Sequence, residues 1–281
     1  MPMISNVGST MPSGRRVKRA AVVLHGRPDA LGTALAQLQG VAAREGVELV
    51  VAGDTPIGPG DVELAIVLGG DGTMLRALHR FLGTDVPVIG VNFGRVGFLS
   101  AIPRDDLESG VARVFGGELE VVELATLEVE TGGERFVAVN DAVVTSGELG
   151  RMVEIEWSVG GEDFGRVPCD GLICSTPSGS TAYNLSNGGP VLMWGLDAMA
   201  LTFVAPHDLR ARPFVVPRGH ELLAWNRTAA VDCAVLVDGH RIADCGPGGH
   251  VSIGLGAERS LLGTLPDATF VRRYRQSFGS S

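Results

Sequence analysis

The sequence predicts an α/β domain followed by a β-rich domain. Up to about residue 116, apolar runs of strand length alternate with helical patterns, and beyond it short strand patterns are separated by glycine-rich turns. The 281 residues are 45% hydrophobic, which is enough for one large or two modest cores. We divide the chain into a disordered leader (1–16), an N-terminal α/β domain (17–116), a C-terminal β-rich domain (117–260) and a tail that packs back on the body (261–281).

The first half begins as a β-α-β unit. Apolar patterns predict strands at 19–24, 47–51, 62–68 and 86–91, and helices at 29–44 and 104–115. His25 and Arg27 follow the first strand, at the edge where open α/β sheets bind ligands. We interpret His25 as a loop residue and Arg27 as a weak phosphate candidate.

The second half reads as strands at 119–129, 136–144, 153–159, 221–225, 230–237 and 250–254. Asp238-Gly239 is a default hairpin turn between two of them. In the run 136–144, Asn140-Asp141 places residue types that strands disfavour at mid-strand, so it is either a bulge or a ligand contact. The C-terminal segment with its arginines at 272, 273 and 275 is a short helix or strand, and we expect these arginines on a solvated face.

A glycine-rich turn follows the apolar run 62–68 and leads into a helical pattern. Glycines let backbone N–H groups approach phosphate oxygens, and a helix N-terminus adds partial positive charge. Asp71 would repel phosphate unless it binds Mg²⁺ or takes a proton from an attacking hydroxyl. The turn therefore indicates phosphoryl transfer, with a plain Asp-Gly turn as the alternative. Its residues are Gly69, Gly70, Asp71, Gly72 and Thr73, with Arg76 in the first turns of the helix.

Two further segments carry small or polar residues at high density. Residues 92–99 contain two glycines three positions apart, and Phe98 among them is either a core residue or a wall for an adenine ring. Residues 169–190 are rich in serine and threonine. That second segment is either a loop leading into a helix near Ser180 or Thr181, or a site for a polar ligand such as a nucleotide.

Composition excludes several classes of protein. A net charge of −9 argues against nucleic-acid and anionic-membrane binding, and no apolar run approaches the roughly 18 residues of a membrane span. The four cysteines have no C-x-x-C spacing and no signal peptide is recognisable, so we expect a reduced, cytoplasmic protein. The histidines form no H-x-x-x-H pair, and we predict no metal site made by protein ligands alone.

Taken together and in order, these segments resemble the NAD kinase family, which phosphorylates the adenosine ribose 2′-hydroxyl of NAD with ATP or polyphosphate to give NADP. Residues 69–73 are similar to its GGDGT turn, residues 92–99 to its N-x-G-x-x-G-F-L segment, and Asn140-Asp141 to its N-E/D pair. Residues 170–190 are similar to its DGL-x-STPTGSTAY-x-LS-x-GGP signature. Ser178 for threonine, Asp141 for glutamate and Asn187 for a small residue are mild departures, and the bulk of Met193-Trp194 has no explanation.

The resemblance implies an N-terminal doubly wound α/β domain, a C-terminal β-sandwich-like domain that binds NAD, and an active site in the cleft between them. Asp71 would be the general base, and Gly69, Gly70, Gly72 and Thr73 would hold donor phosphates with Mg²⁺ or another divalent metal. It further implies homodimers or homotetramers. The implied NAD contacts are Asp71, Gly72, Arg76, Phe98, Asn140, Asp141, Asp170, Thr181, Ala182, Tyr183, Ser186, Ala205 and Asp238.

Two rival functions share parts of this pattern. Diacylglycerol and sphingoid lipid kinases carry the same GGDGT turn but bind an apolar acceptor, against which the serine- and threonine-rich segment and Asn140-Asp141 argue. A non-catalytic NAD(P)-binding regulator is the other rival. Asp71 argues against it, because a protein that only binds has no need of a base beside phosphates.

Overall fold

The computed structural model describes residues 16–24, 32–52, 57–58, 60–93 and 97–279. His25 and Arg27 lie outside these described residues, as does the leader apart from its last residue. The described chain forms two compact units. The first contains residues up to Glu123 and from Ser260 onward, and the second is Leu124–Arg259.

The first unit begins with alternating strands and helices, as the apolar periodicity predicts. The order is β1 (Arg19–Leu24), α1 (Gly32–Glu45), β2 (Glu48–Val51), β3 (Leu64–Gly69), α2 (Asp71–Arg80), β4 (Val88–Asn92), β5 (Ile102–Pro103) and α3 (Leu107–Phe115), with one 3₁₀ turn at Arg104–Asp106.

These strands form a parallel sheet in the order β2-β1-β3-β4, with β5 next to β4. Leu64, Ile66 and Leu68 of β3 pack on one face with residues of α1 and α3. The opposite face receives α2, since a Cβ on Gly90 of β4 would come 3.1 Å from Cγ of Met74 in α2. Helices therefore cover both faces of the sheet, which confirms the doubly wound α/β class.

The second unit is built almost entirely of strands. In chain order the elements are β6 (Glu120–Thr131), β7 (Glu134–Ala138), β8 (Asp141–Ser146), β9 (Val153–Val159), β10 (Glu162–Cys169), β11 (Gly171–Ser175), α4 (Tyr183–Ser186), β12 (Ala198–Val204), β13 (Phe214–Pro217), β14 (Leu222–Asn226), β15 (Cys233–Val237), β16 (His240–Cys245) and β17 (His250–Thr264). The start of β6 and the end of β17 belong to the first unit, and helix α5 (Phe270–Phe278) follows there. Among the residues described, no helix is both long and apolar enough to cross a membrane.

Two antiparallel layers pack face to face in the second unit. One has the order β13-β12-β11-β8-β15-β16, and the other contains β10, β9, β14 and the first part of β17. Trp157 and Leu222 of the second layer share a buried cluster with Leu172 and Leu201 of the first. This β-sandwich confirms the predicted β-rich class.

Some element boundaries differ from those that the pattern predicts. The run 136–144 forms two strands, β7 and β8, because a bend at residues 139–140 interrupts the strand. Strand β17 extends well past residue 254, to Thr264. Strands β5, β10, β11, β12, β13 and β16 were not predicted. β10 and β16 lie at sheet edges and carry charged side chains, as exposed edges do, so an apolar pattern cannot reveal them. The prediction also missed β11 and β12, which are buried strands inside their sheet.

The C-terminal segment 270–278 is a helix, and the expectation that all its arginines are solvated is wrong for Arg273. Arg273 is only 4% exposed, whereas Arg272 and Arg275 are exposed. The apolar residues of this helix lie on one face, and Arg275 is nearer to that face than Arg273, so the periodicity does not identify Arg273 as the buried arginine.

The four cysteines are free and buried thiols. Burial raises the pKa of Cys169 and of Cys233 to about 12, and it also raises the pKa of Cys174 and Cys245. A nucleophilic thiolate is therefore not available at neutral pH, so these residues act as small core side chains.

Candidate functional site

The first group of candidate residues lies where β3 ends and α2 begins. Every residue of β3 is buried, and the strand stops at Gly69. The carbonyl of Gly70 accepts hydrogen bonds from the N–H groups of Thr73 (2.9 Å) and Met74 (3.1 Å), which starts the helix at once. A Cβ on Gly69 would come within 2.7 Å of Thr73 Oγ1, so only glycine allows this tight turn.

The Asp71 carboxylate is fixed by a distant segment. Its Oδ2 accepts a hydrogen bond from the N–H of Phe98 at 2.7 Å, and its Oδ1 accepts one from the N–H of Leu99 at 3.1 Å. The residue is half-buried at the first position of α2. Each carboxylate oxygen has a second lone pair, so the group can still accept a hydrogen bond from a ligand hydroxyl.

The remaining turn residues differ in exposure. Gly72 and Arg76 are exposed, whereas Thr73 is 3% exposed. The Thr73 hydroxyl accepts a hydrogen bond from Nη2 of Arg76 at 3.3 Å. The exposed Gly72 leaves the start of α2 open, while the hydroxyl of Thr73 already has a partner within the turn.

Phe98 is 7% exposed and packs against α5. Its ring centroid lies 5.2 Å from that of Phe270 and 6.2 Å from that of Phe278. The core alternative for this residue therefore has direct support, and its role as a wall for adenine stays a prediction.

In the second unit, the hairpin between β15 and β16 holds the backbone at Asn140 and Asp141. The Asp238 carboxylate accepts hydrogen bonds from the N–H groups of Val139 (2.9 Å), Asn140 (2.7 Å) and Asp141 (3.1 Å). Asp238 has a φ of +48° in the hairpin turn, a conformation that Asp tolerates better than most residues. The two aspartates are nearly a hundred positions apart in the chain, and the pairing of β15 with β8 brings them together.

This arrangement leaves two unusual groups at residues 140 and 141. Burial raises the pKa of Asp141 to about 7, and the charge of Asp238 adds to the shift. Oδ1 of Asn140 is a buried oxygen with no hydrogen-bond partner within the described chain. Such an acceptor is costly unless a ligand or water supplies a donor, which favours the ligand interpretation of this pair.

The serine- and threonine-rich segment divides into buried and exposed parts. The hydroxyls of Thr176 (2.7 Å) and Ser178 (3.0 Å) donate to the carbonyl of Val139, and Ser180 donates to that of Pro177 at 2.7 Å. These buried hydroxyls shape the loop and hold the backbone before Asn140. The residues predicted to contact NAD are the accessible ones of the segment: Thr181 is half-buried, and Ala182, Tyr183 and Ser186 are exposed.

The structure does not bring all candidate residues of this unit together. Asp170 precedes β11 and Ala205 follows β12, and Gly171 is paired with Val204, so these two candidates are neighbours. Asp141 pairs with Ser175 at the other end of β11. Five residues of strand span roughly 17 Å, so Asp170 and Ala205 lie at the opposite end of the sheet from Asn140, Asp141 and Asp238.

The donor set permits only a partial metal site. Among the described residues, no group of three or more His, Cys, Asp or Glu side chains could hold a metal ion. Asp71 offers a half-buried carboxylate with free lone pairs beside an open helix start. These groups fit Mg²⁺ whose other ligands are phosphate oxygens and water, the usual arrangement for this ion.

A cavity of about 600 Å³ in the first unit lies beside the segment that holds Asp71, and its lining includes Gly97, Ser100 and Arg273. Its other basic groups are compensated, since Arg113 and Arg272 both pair with Asp267. The cavity is therefore not a strongly positive surface, and we assign it no phosphate.

Sequence reasoning missed Arg273, whose side chain binds the backbone at residues 98–100. The three arginines near the carboxyl end differ in exposure, and nothing local in the sequence separates them. Only the packing of α5 identifies the buried one.

Comparison with known proteins places this architecture among related enzymes. Residues 52–119 match the family model "ATP-NAD kinase N-terminal domain", and residues 139–262 match "ATP-NAD kinase C-terminal domain". An NAD kinase from Gemmatimonas aurantiaca is 38% identical over 244 residues, covering 84% of this chain and 82% of the relative. An NAD kinase from Symbiobacterium thermophilum is 36% identical over 294 residues, covering 100% of this chain and 96% of the relative.

Solved structures agree on the fold. The crystal structure of yeast NADH kinase complexed with NADH has a TM-score of 0.82 at 21% identity, covering 97% of this chain and 93% of the other. The structure of an NAD kinase from Archaeoglobus fulgidus in complex with ATP has a TM-score of 0.75 at 25% identity, covering 93% and 97%. The two family models and the two relatives show that the chain belongs to the NAD kinase family.

Proposed function

We propose that this protein transfers the γ-phosphoryl group of ATP to the 2′-hydroxyl of the adenosine ribose of NAD, giving NADP and ADP. The single observation that carries the chemistry is the Asp71 carboxylate, held by the N–H groups of Phe98 and Leu99 at the start of α2. A carboxylate that backbone N–H groups hold beside a glycine-rich helix start is suited to take a proton from an acceptor hydroxyl while the helix start holds phosphates.

In this mechanism Asp71 is the general base. The 2′-oxygen attacks the γ-phosphorus, its proton passes to the Asp71 carboxylate, and the bond from phosphorus to the bridging oxygen breaks as ADP leaves. The two N–H donors hold the carboxylate in one orientation, so its remaining lone pairs need no rearrangement before the reaction.

The donor phosphates are assigned to Gly69, Gly70, Gly72 and Thr73, with ATP as donor and polyphosphate as a second candidate donor. The exposed Gly72 and the open helix start support this role. A divalent cation such as Mg²⁺ would neutralise charge on the transferred group when bound. It would be held with the donor phosphates at residues 69–73, which leaves the Asp71 carboxylate free to act as the base.

On the acceptor side we assign Asn140 and Asp141 to adenosine recognition. Support comes from Oδ1 of Asn140, which lacks a partner within the described residues, and from Asp141, whose raised pKa places it between the neutral and charged forms near pH 7. The accessible Thr181, Ala182, Tyr183 and Ser186 are further candidate contacts. Asp170 and Ala205 lie at the other end of their sheet and would contact a different part of the ligand or a ligand bound to another copy.

We also propose that the protein forms homodimers or homotetramers. Edge strands β10 and β13 carry three partly exposed apolar side chains, those of Phe164, Phe214 and Val215, and such side chains at a sheet edge favour contact with a second copy. Size-exclusion chromatography with light scattering measures the assembly, and a monomer at micromolar concentration would contradict it.

The test of function is an endpoint assay of the purified chain with NAD, ATP and Mg²⁺, in which an NADP-specific dehydrogenase detects the product. Asp71→Asn is assayed beside the wild type, together with a reaction containing polyphosphate in place of ATP. We expect the variant to keep NAD binding and to lose at least a hundredfold in turnover, about 3 kcal/mol. The loss has two sources, because an amide is not a base and its NH₂ group cannot accept the hydrogen bond that the second carboxylate oxygen accepted.

Each alternative gives a different result. Near-normal turnover of Asp71→Asn would remove the base assignment. A folded wild-type chain that binds NAD but forms no NADP would favour a regulator, and a chain that phosphorylates a lipid and does not bind NAD would favour the lipid kinases.

A further inference from the structure

Arg273 makes an unusual set of contacts for a residue of a surface helix. It is 4% exposed, and its Nη1 donates to three consecutive carbonyl oxygens, those of Phe98 (3.0 Å), Leu99 (2.8 Å) and Ser100 (3.0 Å). Nη2 donates to Thr264 Oγ1 at 2.6 Å. The guanidinium thus fixes a short backbone segment from its carbonyl side.

The same segment holds Asp71 from its amide side. The N–H groups of Phe98 and Leu99 are the donors to the Asp71 carboxylate, so two residues of the segment bind Arg273 through C=O and Asp71 through N–H. Burial lowers the pKa of Arg273 to about 10, and the charge of Asp71 opposes this decrease. The Arg273 guanidinium and the Asp71 carboxylate therefore interact electrostatically across the backbone of residues 98 and 99.

Packing alone does not account for a guanidinium at this position. Helix α5 already contacts Phe98 through the rings of Phe270 and Phe278, and an apolar side chain at 273 would bury area at a lower cost than a charge. What an apolar side chain cannot do is orient three peptide groups. Arginine does so because its planar fork presents several donors in fixed directions.

We propose that Arg273 is a positioning residue for the phosphoryl transfer: it fixes the carbonyl groups of residues 98–100 so that the N–H groups of Phe98 and Leu99 hold the Asp71 carboxylate in its reactive orientation. The inference rests on the proposed function and extends it to a residue in α5 that lies 202 positions along the chain from Asp71 (273 − 71). Arg273 acts through Asp71 and does not contact substrate in this account.

The kinetic consequence follows from this indirect role. A displaced base slows the chemical step, whereas most of the groups assigned to NAD and ATP lie elsewhere in the chain. We expect Arg273→Met to lower kcat by roughly 10- to 100-fold, the range for a misplaced catalytic group, with KM for both substrates nearly unchanged. Arg273→Lys keeps the charge and one donor group, so it should recover part of the loss.

The experiment compares wild type, Arg273→Met, Arg273→Lys and Arg272→Met in the full chain. Arg272 is the matched control, because it is a neighbouring arginine in the same helix whose side chain is exposed and paired with Asp267. Each Arg273 variant is also combined with Asp71→Asn. If Arg273 acts through Asp71, the double variant is no slower than Asp71→Asn alone, whereas a general structural defect would lower the rate further.

A second measurement is independent of the reaction. Hydrogen exchange of the Phe98 and Leu99 amides should accelerate in Arg273→Met and in Asp71→Asn, and remain as in wild type in Arg272→Met. A wild type that forms no NADP overturns the proposed function, while the exchange rates still report on the coupling of Arg273 to Asp71.

Unchanged kcat in Arg273→Met, additive losses in the double variant, or unchanged exchange at residues 98 and 99 would each overturn the proposal. If Arg273→Met does not fold, Arg273→Lys and Thr264→Val provide the same tests. Thr264→Val removes the hydroxyl that accepts from Nη2 and leaves the arginine in place. We expect a partial loss of kcat from it, smaller than that of Arg273→Lys.

Discussion

The Asp71 carboxylate occupies the space that a side chain on Gly97 would fill. A Cβ on Gly97 would overlap Oδ1 of Asp71 and come within 3.0 Å of its Cγ. The next two residues donate their N–H groups to the same carboxylate. The position of the Asp71 carboxylate therefore requires glycine at residue 97, because any other residue would displace the carboxylate.

Gly97→Ala should lower kcat by roughly 10- to 100-fold, because the carboxylate must move away from its N–H donors. Stability should change little, since the carboxylate can turn toward solvent from its half-buried position. Gly40→Ala in α1 is the control, because the nearest atom to a Cβ there is an Arg44 nitrogen at 3.8 Å, an ordinary van der Waals contact. Steady-state kinetics and thermal melting of the two variants check this, and a fully active Gly97→Ala enzyme would contradict it.

Asp238 should be a major determinant of the stability of the second unit. Its carboxylate accepts hydrogen bonds from three N–H groups, and a single hydrogen bond to a charged acceptor contributes about 1.5–3 kcal/mol. Three bonds that share one acceptor contribute less than the sum of their separate values. We expect Asp238→Gly to lower the free energy of unfolding by about 2–4 kcal/mol. Glycine tolerates the φ of +48°, so backbone strain does not add to this value.

The matched variant is Asp163→Gly, which removes an exposed carboxylate that accepts one N–H, from Gly165 in another hairpin. We expect a loss below about 1 kcal/mol from it. Urea denaturation measures both variants, and equal losses at 163 and 238 would show that the three bonds of Asp238 are not special.

Asp141 should make stability depend on pH. Burial and the charge of Asp238 raise its pKa from 3.8 to about 7 in the folded state, so the folded chain binds a proton that the unfolded chain releases between these values. The contribution of Asp141 to the free energy of unfolding is fully present below about pH 4. It decreases as the pH rises to about 7 and is absent above that pH. Three pKa units at 1.36 kcal/mol each give ~4 kcal/mol as the order of the change.

The difference in unfolding free energy between Asp141→Asn and wild type isolates this group. The unfolding free energy of Asp141→Asn should rise relative to that of the wild type between pH 4 and pH 7, and the difference should be constant above pH 7. Asp232→Asn replaces an exposed carboxyl just before β15, the strand paired with β8, and should give a much flatter difference. A flat difference for Asp141→Asn as well would show that the residue is ionised throughout this range.

Thr176 should matter for structure and not as a ligand contact. Its buried hydroxyl donates to the carbonyl of Val139 at 2.7 Å and accepts from the N–H of Gly179 at 3.0 Å. Thr176→Val should lower the unfolding free energy by about 1–3 kcal/mol, because it leaves the N–H of Gly179 unsatisfied and removes one of the two hydroxyls that donate to the carbonyl of Val139. Thr145→Val, which removes one bond to the carbonyl of Asp170 near the surface, should cost less. Denaturation of the two variants compares them, and equal costs would contradict the structural role.

Local patterns in the sequence are sufficient to predict the fold class and the turn that carries Asp71. The buried run of β3, the glycines after it and the helical pattern of α2 are contiguous, so periodicity and turn chemistry reveal them. The order of motifs likewise identified the family. These features need only neighbouring residues.

The contacts that hold the candidate residues in place are seen only in the tertiary structure. Arg273 meets residues 98–100 through the packing of α5, and Asp238 meets Asn140 and Asp141 through the pairing of β15 with β8. It also separated Asp170 from Asp141 and turned the buried hydroxyls of the loop toward backbone carbonyls. Such contacts join residues far apart in the chain, and a local pattern carries no information about partners that only the folding of distant segments brings within hydrogen-bond distance.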